Sequence, residues 1–244
     1  MPSVFSNLFM KTIETSVSCA AVIAAGGSSL RMDSADKLFI EICGMPVLAH
    51  TLLAFQNCPN ISEVVVVSRE ECLEAVCELC KNYGIEKAAR VMIGGATRLD
   101  SVYNGVFAVS DNAQLIAIHD GARPCVDNDI INAAVLAAAK YHAAAPAVPV
   151  SSTLKKVRDG IILETIDRDS LVEIQTPQVF AAEVIKAALT KARNESAAVT
   201  DDCMAAELLG FPVRVTEGSR RNIKITTSED IAIAEAILRG RESL

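Results

Sequence analysis

The sequence predicts an α/β domain with a mostly parallel sheet covered by helices on both faces. Three observations carry that prediction. Short, continuously apolar runs recur along the chain, as buried parallel strands require. A helical segment follows each run, the alternation that builds βαβ units. Glycine pairs and charged clusters stand just after several of the runs, where open α/β sheets place their ligands.

Taken in order, Cys19–Ala25 reads as the first buried strand and breaks into Gly26-Gly27-Ser28-Ser29. Pro46 opens a helix that runs through Phe55, proline being suited to a first helical turn. Ser62–Ser68 (SEVVVVS) is a second strand, followed by a helix from Glu70 to Tyr83. Ala88–Ile93 is a third strand ending at Gly94-Gly95, and Arg98–Val109 is the helix after it. Gln114–His119 is a fourth strand, Asp127–Tyr141 an alanine-rich helix and Ala143–Val150 a fifth strand. Residues 151–171 break the rhythm, because Thr153–Val157 and Ile161–Ile166 are short β-prone runs around Arg158-Asp159-Gly160. Asp-Gly between such runs signals a hairpin. An isolated two-stranded ribbon is marginal in water, so this one should pack on something, a second subunit being a natural candidate. Thr176-Pro177-Gln178 and Thr200-Asp201-Asp202 read as polar interruptions before helices, and Thr227-Ser228-Glu229-Asp230 as the start of the last one. No repeat, low-complexity tract or linker is evident.

Composition narrows the function classes. A chain of 244 residues is one α/β domain or two small ones. It is 51% apolar with a mean hydropathy of +0.32, enough for a sizeable core, and with 4% aromatics and no Trp that core is aliphatic. A net charge of −7 and a pI near 5.1 make it a poor general binder of nucleic acid. No apolar run reaches the roughly 18–20 residues of a membrane span. Residues 1–17 lack the basic start of a signal peptide and read as a loosely held tail, with Met10 as an alternative start, before a domain over 18–244. Eight cysteines without a secretory signal imply reduced thiols and a cytoplasmic protein. Cys77-x-x-Cys80 with Cys72 upstream invites a metal reading, but no second ligand pair completes four ligands. Helix thiols acting as small core hydrophobes is the simpler account.

The chemistry concentrates after the first and fourth strands. Gly26-Gly27 lets backbone N–H groups approach an anion, and the cations Arg31 and Lys37 follow, a layout suited to polyphosphate. The spacing fits neither GxxxxGK[ST] nor GxGxxG. A glycine turn with two solvated cations is the competing reading. His119-Asp120-Gly121-Ala122-Arg123-Pro124 puts a carboxylate and a guanidinium at the same sheet edge. Asp120 could hold Mg²⁺ together with substrate phosphates, and Arg123 could grip a phosphate as a bidentate fork. A capped turn with a surface ion pair is the alternative. His119 reads as a packing or hydrogen-bonding residue, since strand neighbours face opposite ways. Lys224 lies in a β-prone stretch before the last helix, near the basic cluster Arg220-Arg221.

The ordered set AAGGSSLRM…K, GG(x)₃LDSV, HDGARP, TIDR, TPQ, TDD and NIKITTSEDIAIAEAI, from about Cys19 to Leu238, resembles the 2-C-methyl-D-erythritol 4-phosphate cytidylyltransferases of the non-mevalonate isoprenoid pathway. The resemblance implies a Rossmann-like nucleotidyltransferase fold and a homodimer joined through a hairpin arm over 151–171. It implies transfer of CMP from CTP to 2-C-methyl-D-erythritol 4-phosphate, with pyrophosphate released and Mg²⁺ as cofactor. Ala24, Ala25, Gly26 and Gly27 would line the CTP site, and Gly94, Gly95 and Ser101 would read cytosine. Arg31 and Lys37 would stabilise triphosphate charge, and Asp120 would position Mg²⁺ and the acceptor. Arg123, Thr176, Thr200 and Lys224 would hold the acceptor and the α-phosphate, joined by Thr153 and Arg168 from the other subunit's arm. The chain departs from the family pattern at Asp36, where Pro is common before the lysine, and at Ala96, a position often acidic. It departs again at Arg221 before the NIK motif and at Val172 after the arm. A cytidylyltransferase for another polyol phosphate, such as ribitol 5-phosphate, and a nucleotide-binding protein without turnover are the alternative readings.

Overall fold

The computed structural model describes residues 17–27 and 36–242. The N-terminal tail expected over residues 1–17 therefore falls, but for its last residue, outside the described residues, and so does Arg31.

The elements run β1 (Cys19–Ala25), β2 (Glu41–Ile42), β3 (Met45–Pro46), α1 (Val47–Gln56), β4 (Ile61–Ser68), α2 (Leu73–Asn82), β5 (Ala88–Ile93), α3 (Arg98–Ala108), β6 (Leu115–Asp120), α4 (Asn128–Tyr141) and β7 (Ala143–Pro149). They continue with β8 (Leu154–Arg158), β9 (Ile161–Ile166), β10 (Val172–Ile174), β11 (Gln178–Ala181), α5 (Ala182–Asn194), α6 (Asp202–Leu208), β12 (Arg214–Glu217) and α7 (Ser228–Glu242). The main sheet has the order β10-β7-β11-β6-β1-β4-β5, with β12 also on β7. Strands β6, β1, β4 and β5 are mutually parallel, as the apolar runs predict.

Alternation along these strands feeds two separate cores, one on each face of the sheet. Ala21 and Ile23 of β1, Val64 and Val66 of β4 and Ala117 of β6 pack with Leu48, Leu52 and Phe55 of α1 and Ile131 and Ala134 of α4. Ala20 and Val22, Val65 and Val67, and Ile116 and Ile118 point the other way, onto Val102 and Val106 of α3 and Ile185 and Leu189 of α5. Gly105 lets α3 lie close to the sheet, because a Cβ there would stand 2.5 Å from Val22 and 2.7 Å from Val67.

Two parts of the sheet differ from the sequence prediction. The segment read as a polar interruption at Thr176-Pro177-Gln178 leads straight into a fully buried strand, β11. It inserts antiparallel between β6 and β7, so β7 is not the parallel neighbour of β6. With four residues, β11 is too short to show a period, and only its long-range pairing creates it. The second addition is β12, parallel to β7 at Ala144–Ala147. The hairpin is present as a separate sheet of β8 and β9. Its turn residues Asp159 and Gly160 both have positive φ, 52° and 77°, the mark of a type I′ turn that Asp-Gly favours. The thiols are only partly core: Cys72 and Cys80 are buried, and burial pushes the Cys80 thiol up to about 11, but Cys77 is exposed. No disulfide joins them, and no group of three or more metal-ligating side chains occurs among the described residues.

Candidate active site

The carboxyl ends of β1, β4, β5 and β6 open onto a cavity of about 490 Å³. Its walls include Ala24, Gly26, Gly27, Lys37, Gly95, Ser101, Asp120 and Lys224, all named from sequence. Gly26 and Gly27 bring the backbone to the cavity without filling it, and a Cβ on Gly27 would meet nothing within 4 Å. That open space is what an approaching anion needs. Ala25 does not reach the cavity; it is buried in β1, where its carbonyl accepts the Ser68 hydroxyl at 3.2 Å.

The opposite wall is stitched by α3. Thr97 caps the helix by accepting the Asp100 N–H at 3.1 Å. Ser101 Oγ accepts the Gly95 N–H at 3.0 Å and donates to the Thr97 carbonyl at 2.9 Å. Gly95 has to be glycine, since a Cβ would sit 2.2 Å from the Asp100 Cβ. Gly94 lies behind it, donating its N–H to the Ser68 carbonyl at 2.8 Å. The Gly94–Ser101 turn is thus a rigid backbone surface.

Asp120 ends β6 and is the electrostatic centre. Its Oδ2 lies 3.1 Å from Lys224 Nζ and 3.2 Å from Arg123 Nε. Burial alone would raise its pKa, but Lys224, Arg123 and Arg98 outweigh burial and hold the carboxyl well below the usual carboxylate range. Asp120 is therefore ionised throughout the physiological range. Arg123 is turned inward, donating from Nη1 to the Asn222 carbonyl at 2.7 Å, and its side chain is 12% exposed. Lys224, 41% exposed, is the cation of the pair that faces open space. Lys37 reaches the Ile225 carbonyl at 3.1 Å, so the first and last motifs of the chain meet at one point.

A buried network supports this corner. Thr176 is 4% exposed, its Oγ1 2.9 Å from His119 Nδ1 and accepting the Asp120 N–H at 3.2 Å. His119 is fully buried beside the Phe55 ring, and burial lowers its pKa to about 3, so it is a neutral packing and hydrogen-bonding residue as its strand position predicts. Asn222 donates to the Thr176 carbonyl at 2.9 Å. Gln178 accepts the N–H groups of Asp202 and Cys203 at 3.0 and 2.9 Å and donates to Asp201 at 2.8 Å. The TPQ, TDD and NIK stretches are thereby tied into one frame around Asp120. Thr200, by contrast, is exposed and does not line the cavity, with its hydroxyl toward Met204 Sδ. Thr153 and Arg168 lie on the exposed hairpin segment, where Arg168 donates to the Ser151 carbonyl; neither lines the cavity of its own chain.

The sequence model of the family described as IspD, 2-C-methyl-D-erythritol 4-phosphate cytidylyltransferase, matches residues 19–240. The chain belongs to this family. It is accordingly an enzyme, a nucleotidyltransferase. A cytidylyltransferase of this name from Halalkalibacterium halodurans is 45% identical over 224 residues, covering 91% of this chain and 98% of the relative. Another, from Pelotomaculum thermopropionicum, is 42% identical, covering 91% and 95%. The crystal structure of the 4-diphosphocytidyl-2C-methyl-D-erythritol synthase from Anaerococcus prevotii superposes with a TM-score of 0.82 at 31% identity, covering 92% of this chain and all of that one. The cytidylyltransferase from Thermus thermophilus gives a TM-score of 0.75 at 29% identity, covering 90% and 98%.

Two charged cavity residues of this cytidylyltransferase family member escaped sequence reading. Arg98 lines the cavity and forks onto the buried Asp202 at 3.0 and 2.8 Å. Burial pushes the Asp202 carboxyl up, and Arg98 pulls against it. The partners are 104 residues apart, so no local pattern announces them. Arg69, directly after β4, also lines the cavity and pairs with Asp36. A basic residue at a strand's carboxyl end was the available signal.

Proposed function

We propose that the chain transfers the cytidylyl group of CTP to 2-C-methyl-D-erythritol 4-phosphate, giving 4-diphosphocytidyl-2-C-methyl-D-erythritol and pyrophosphate. The observation that carries this reading is the ionised Asp120, held between Lys224 and Arg123 on the same cavity that the glycine loop and Lys37 line.

The chemistry asks for no covalent nucleophile on the protein. An oxygen of the acceptor phosphate attacks the α-phosphorus of CTP in line. The new P–O bond forms as the bond from the α-phosphorus to the α–β bridging oxygen breaks, and pyrophosphate leaves with that electron pair. Charge builds on the α-phosphoryl oxygens and on the departing pyrophosphate, and catalysis consists of alignment and preorganised cations. Ala24, Gly26 and Gly27 bind by backbone groups. Lys37 and Arg31 stabilise the triphosphate and Lys224 the acceptor side, while Arg123 and Thr176, turned inward, serve the acceptor by holding Asp120 in place. The Gly94–Ser101 surface favours CTP over larger purine nucleotides.

Asp120 fits the cofactor expected from sequence. A site with one available carboxylate and no ligand cluster among the described residues suits Mg²⁺ carried by nucleotide phosphates rather than an all-protein cage. Held by Asp120, Mg²⁺ would neutralise charge on the nucleotide phosphates.

The hairpin supports a homodimer. Val157, Ile161, Ile162 and Leu163 are between 52 and 66% exposed, a large apolar display for a two-stranded ribbon. In the dimer Thr153 and Arg168 act on acceptor bound by the other subunit. The described residues hold no helix long and apolar enough to cross a membrane, and eight thiols favour the reducing cytoplasm.

The test is pyrophosphate release by purified protein given CTP and Mg²⁺ with either 2-C-methyl-D-erythritol 4-phosphate or ribitol 5-phosphate. Release with the first acceptor and far less with the second is expected. Equal use of both, or of UTP in place of CTP, contradicts the assignment.

A further inference from the structure

Arg69 stands directly after β4, lines the cavity together with Lys37 and Gly27, and places its guanidinium against the Asp36 carboxylate. Asp36 is the residue before Lys37. Its Oδ1 accepts the Leu38 N–H at 3.2 Å, and its carbonyl accepts the Phe39 N–H at 2.9 Å. One residue therefore closes the turn that presents Lys37 and, through Arg69, fastens that turn to the end of a central strand. Arg69 is itself anchored, with Nη1 3.3 Å from Glu71 and Nη2 3.4 Å from Cys72 Sγ. Its donors are turned to the chain: the terminal nitrogens hold these groups, and Nε is buried without a partner.

Two physical consequences follow. A carboxylate next to the lysine that meets a polyphosphate would repel the ligand if it were unpaired. A lysine on a turn that is not fastened would spend entropy on being placed when the ligand arrives. The pair answers both, and its side chains are shielded enough for the charges to count, at 31 and 17% exposure.

We propose that Asp36 and Arg69 form a latch that positions Lys37 for the triphosphate of the nucleotide, with Arg69 cancelling the charge that Asp36 brings to the cavity rim. Arg69 acts through Asp36 and Lys37 and is a positioning residue, not a ligand contact. The inference rests on the reading that this cavity takes CTP.

The experiment is CTP binding by titration calorimetry without acceptor, over a range of salt, on the full chain and on R69A, R69K, D36N and D36N/R69A. Arg69→Ala leaves Asp36 unpaired, and CTP affinity should fall about tenfold at low salt, the scale of one charge repulsion across about 10 Å at the effective dielectric of a protein surface. That loss should shrink as salt rises, because exposed-charge repulsion is screened. Removing the repelling charge as well, in D36N/R69A, should recover at least half of the loss on a logarithmic scale. R69K keeps the charge and should stay within about threefold of the unmodified chain, whereas D36N, which loosens the turn but removes the repelling charge, should fall between that chain and R69A. An unfolding midpoint for each variant separates binding from folding, and R69Q replaces R69A if the latter does not fold. Unchanged affinity in R69A overturns the latch. A double variant as weak as R69A also overturns it, by making Arg69 a direct contact. Turnover of CTP with the acceptor by the unmodified chain tests the functional reading separately. With turnover present and affinities flat, the latch alone falls. With CTP bound but no turnover, the function falls and the affinity cycle still decides the latch.

Discussion

At the corner around Asp120, buried charge is matched inside one chain: Asp120 has Lys224 and Arg123, Arg98 has Asp202, and Thr176, His119 and Asn222 fill the space between. The β8–β9 hairpin is the reverse. Its ion pair Lys156–Glu164 is exposed at 61 and 53%, and its apolar side chains face outward. The corner is stabilised by tertiary context and needs nothing further to hold its shape. The hairpin exposes apolar area at a cost of roughly 25 cal/mol per Å² that a covering surface would recover. The two regions hold their cations differently. Lys224 is aimed by a carboxylate in its own chain, whereas exposed Arg168 holds only the Ser151 carbonyl of the neighbouring loop.

The largest effect that sharpens this comparison is expected at the corner. Asp120→Asn should lower turnover by about 10²–10³-fold, the scale of one preorganised electrostatic group, with the far-ultraviolet circular dichroism unchanged. Near-normal turnover would reduce Asp120 to a structural ion-pair partner.

The frame behind the corner should matter to folding. Asp202→Ala leaves Arg98 without its buried partner and should lower stability by about 2–3 kcal/mol, less than for a fully buried pair because Arg98 is 33% exposed. Denaturant midpoints at constant slope measure this.

A third effect concerns pH. His119 is held neutral by burial, with its pKa at about 3 against 6.5 for the exposed group. Between those values the unfolded chain binds a proton that the folded chain does not, so stability rises with pH across the window and levels off above it. From pH 6.5 down to pH 5 the loss should be about 1.5–2 kcal/mol. His119→Gln should flatten that slope in equilibrium unfolding. Asp120 is depressed below its ordinary 3.8; its contribution is present above that value and lost as pH falls below it, so it adds next to no slope between pH 5 and 6.5 and steepens the curve only further down.

The smallest effect on the isolated chain is expected on the hairpin. Ile161→Lys with Leu163→Lys should change monomer stability by less than about 0.5 kcal/mol, as exposed substitutions do. The same change should abolish the dimer in sedimentation analysis. A loss of monomer stability would mean that the hairpin packs on its own chain.

How much of this was legible in sequence follows from range. Apolar runs and their glycine or charged ends are local, so β1, β4, β5 and β6 and the positions of Lys37, Asp120 and Lys224 could be read directly. The hairpin was legible because Asp-Gly dictates its turn. Strand β11 was not, because four residues between a proline and a helix have no period, and pairing with β6 and β7 alone makes them a strand. Arg98 and Arg69 were missed for the same reason: their carboxylates lie 104 and 33 residues away, and only the folded sheet edge brings them together. Thr176 and Ser101 were seen as ligand groups, yet their hydroxyls are engaged in holding Asp120 and the Gly95 turn.

In the proposed dimer the site is complete only when a corner from one chain meets a hairpin from another. Subunit mixing tests it most directly. Lys37→Ala and Arg168→Ala homodimers should each be nearly inactive, the first failing on the triphosphate and the second on the acceptor. In a mixed dimer, one site carries both defects and the other carries neither, following the symmetry of an isologous pair. Verified mixed dimers should regain about half the activity of the unmodified dimer. Mixed dimers that stay inactive, or a fully active monomer, would contradict it.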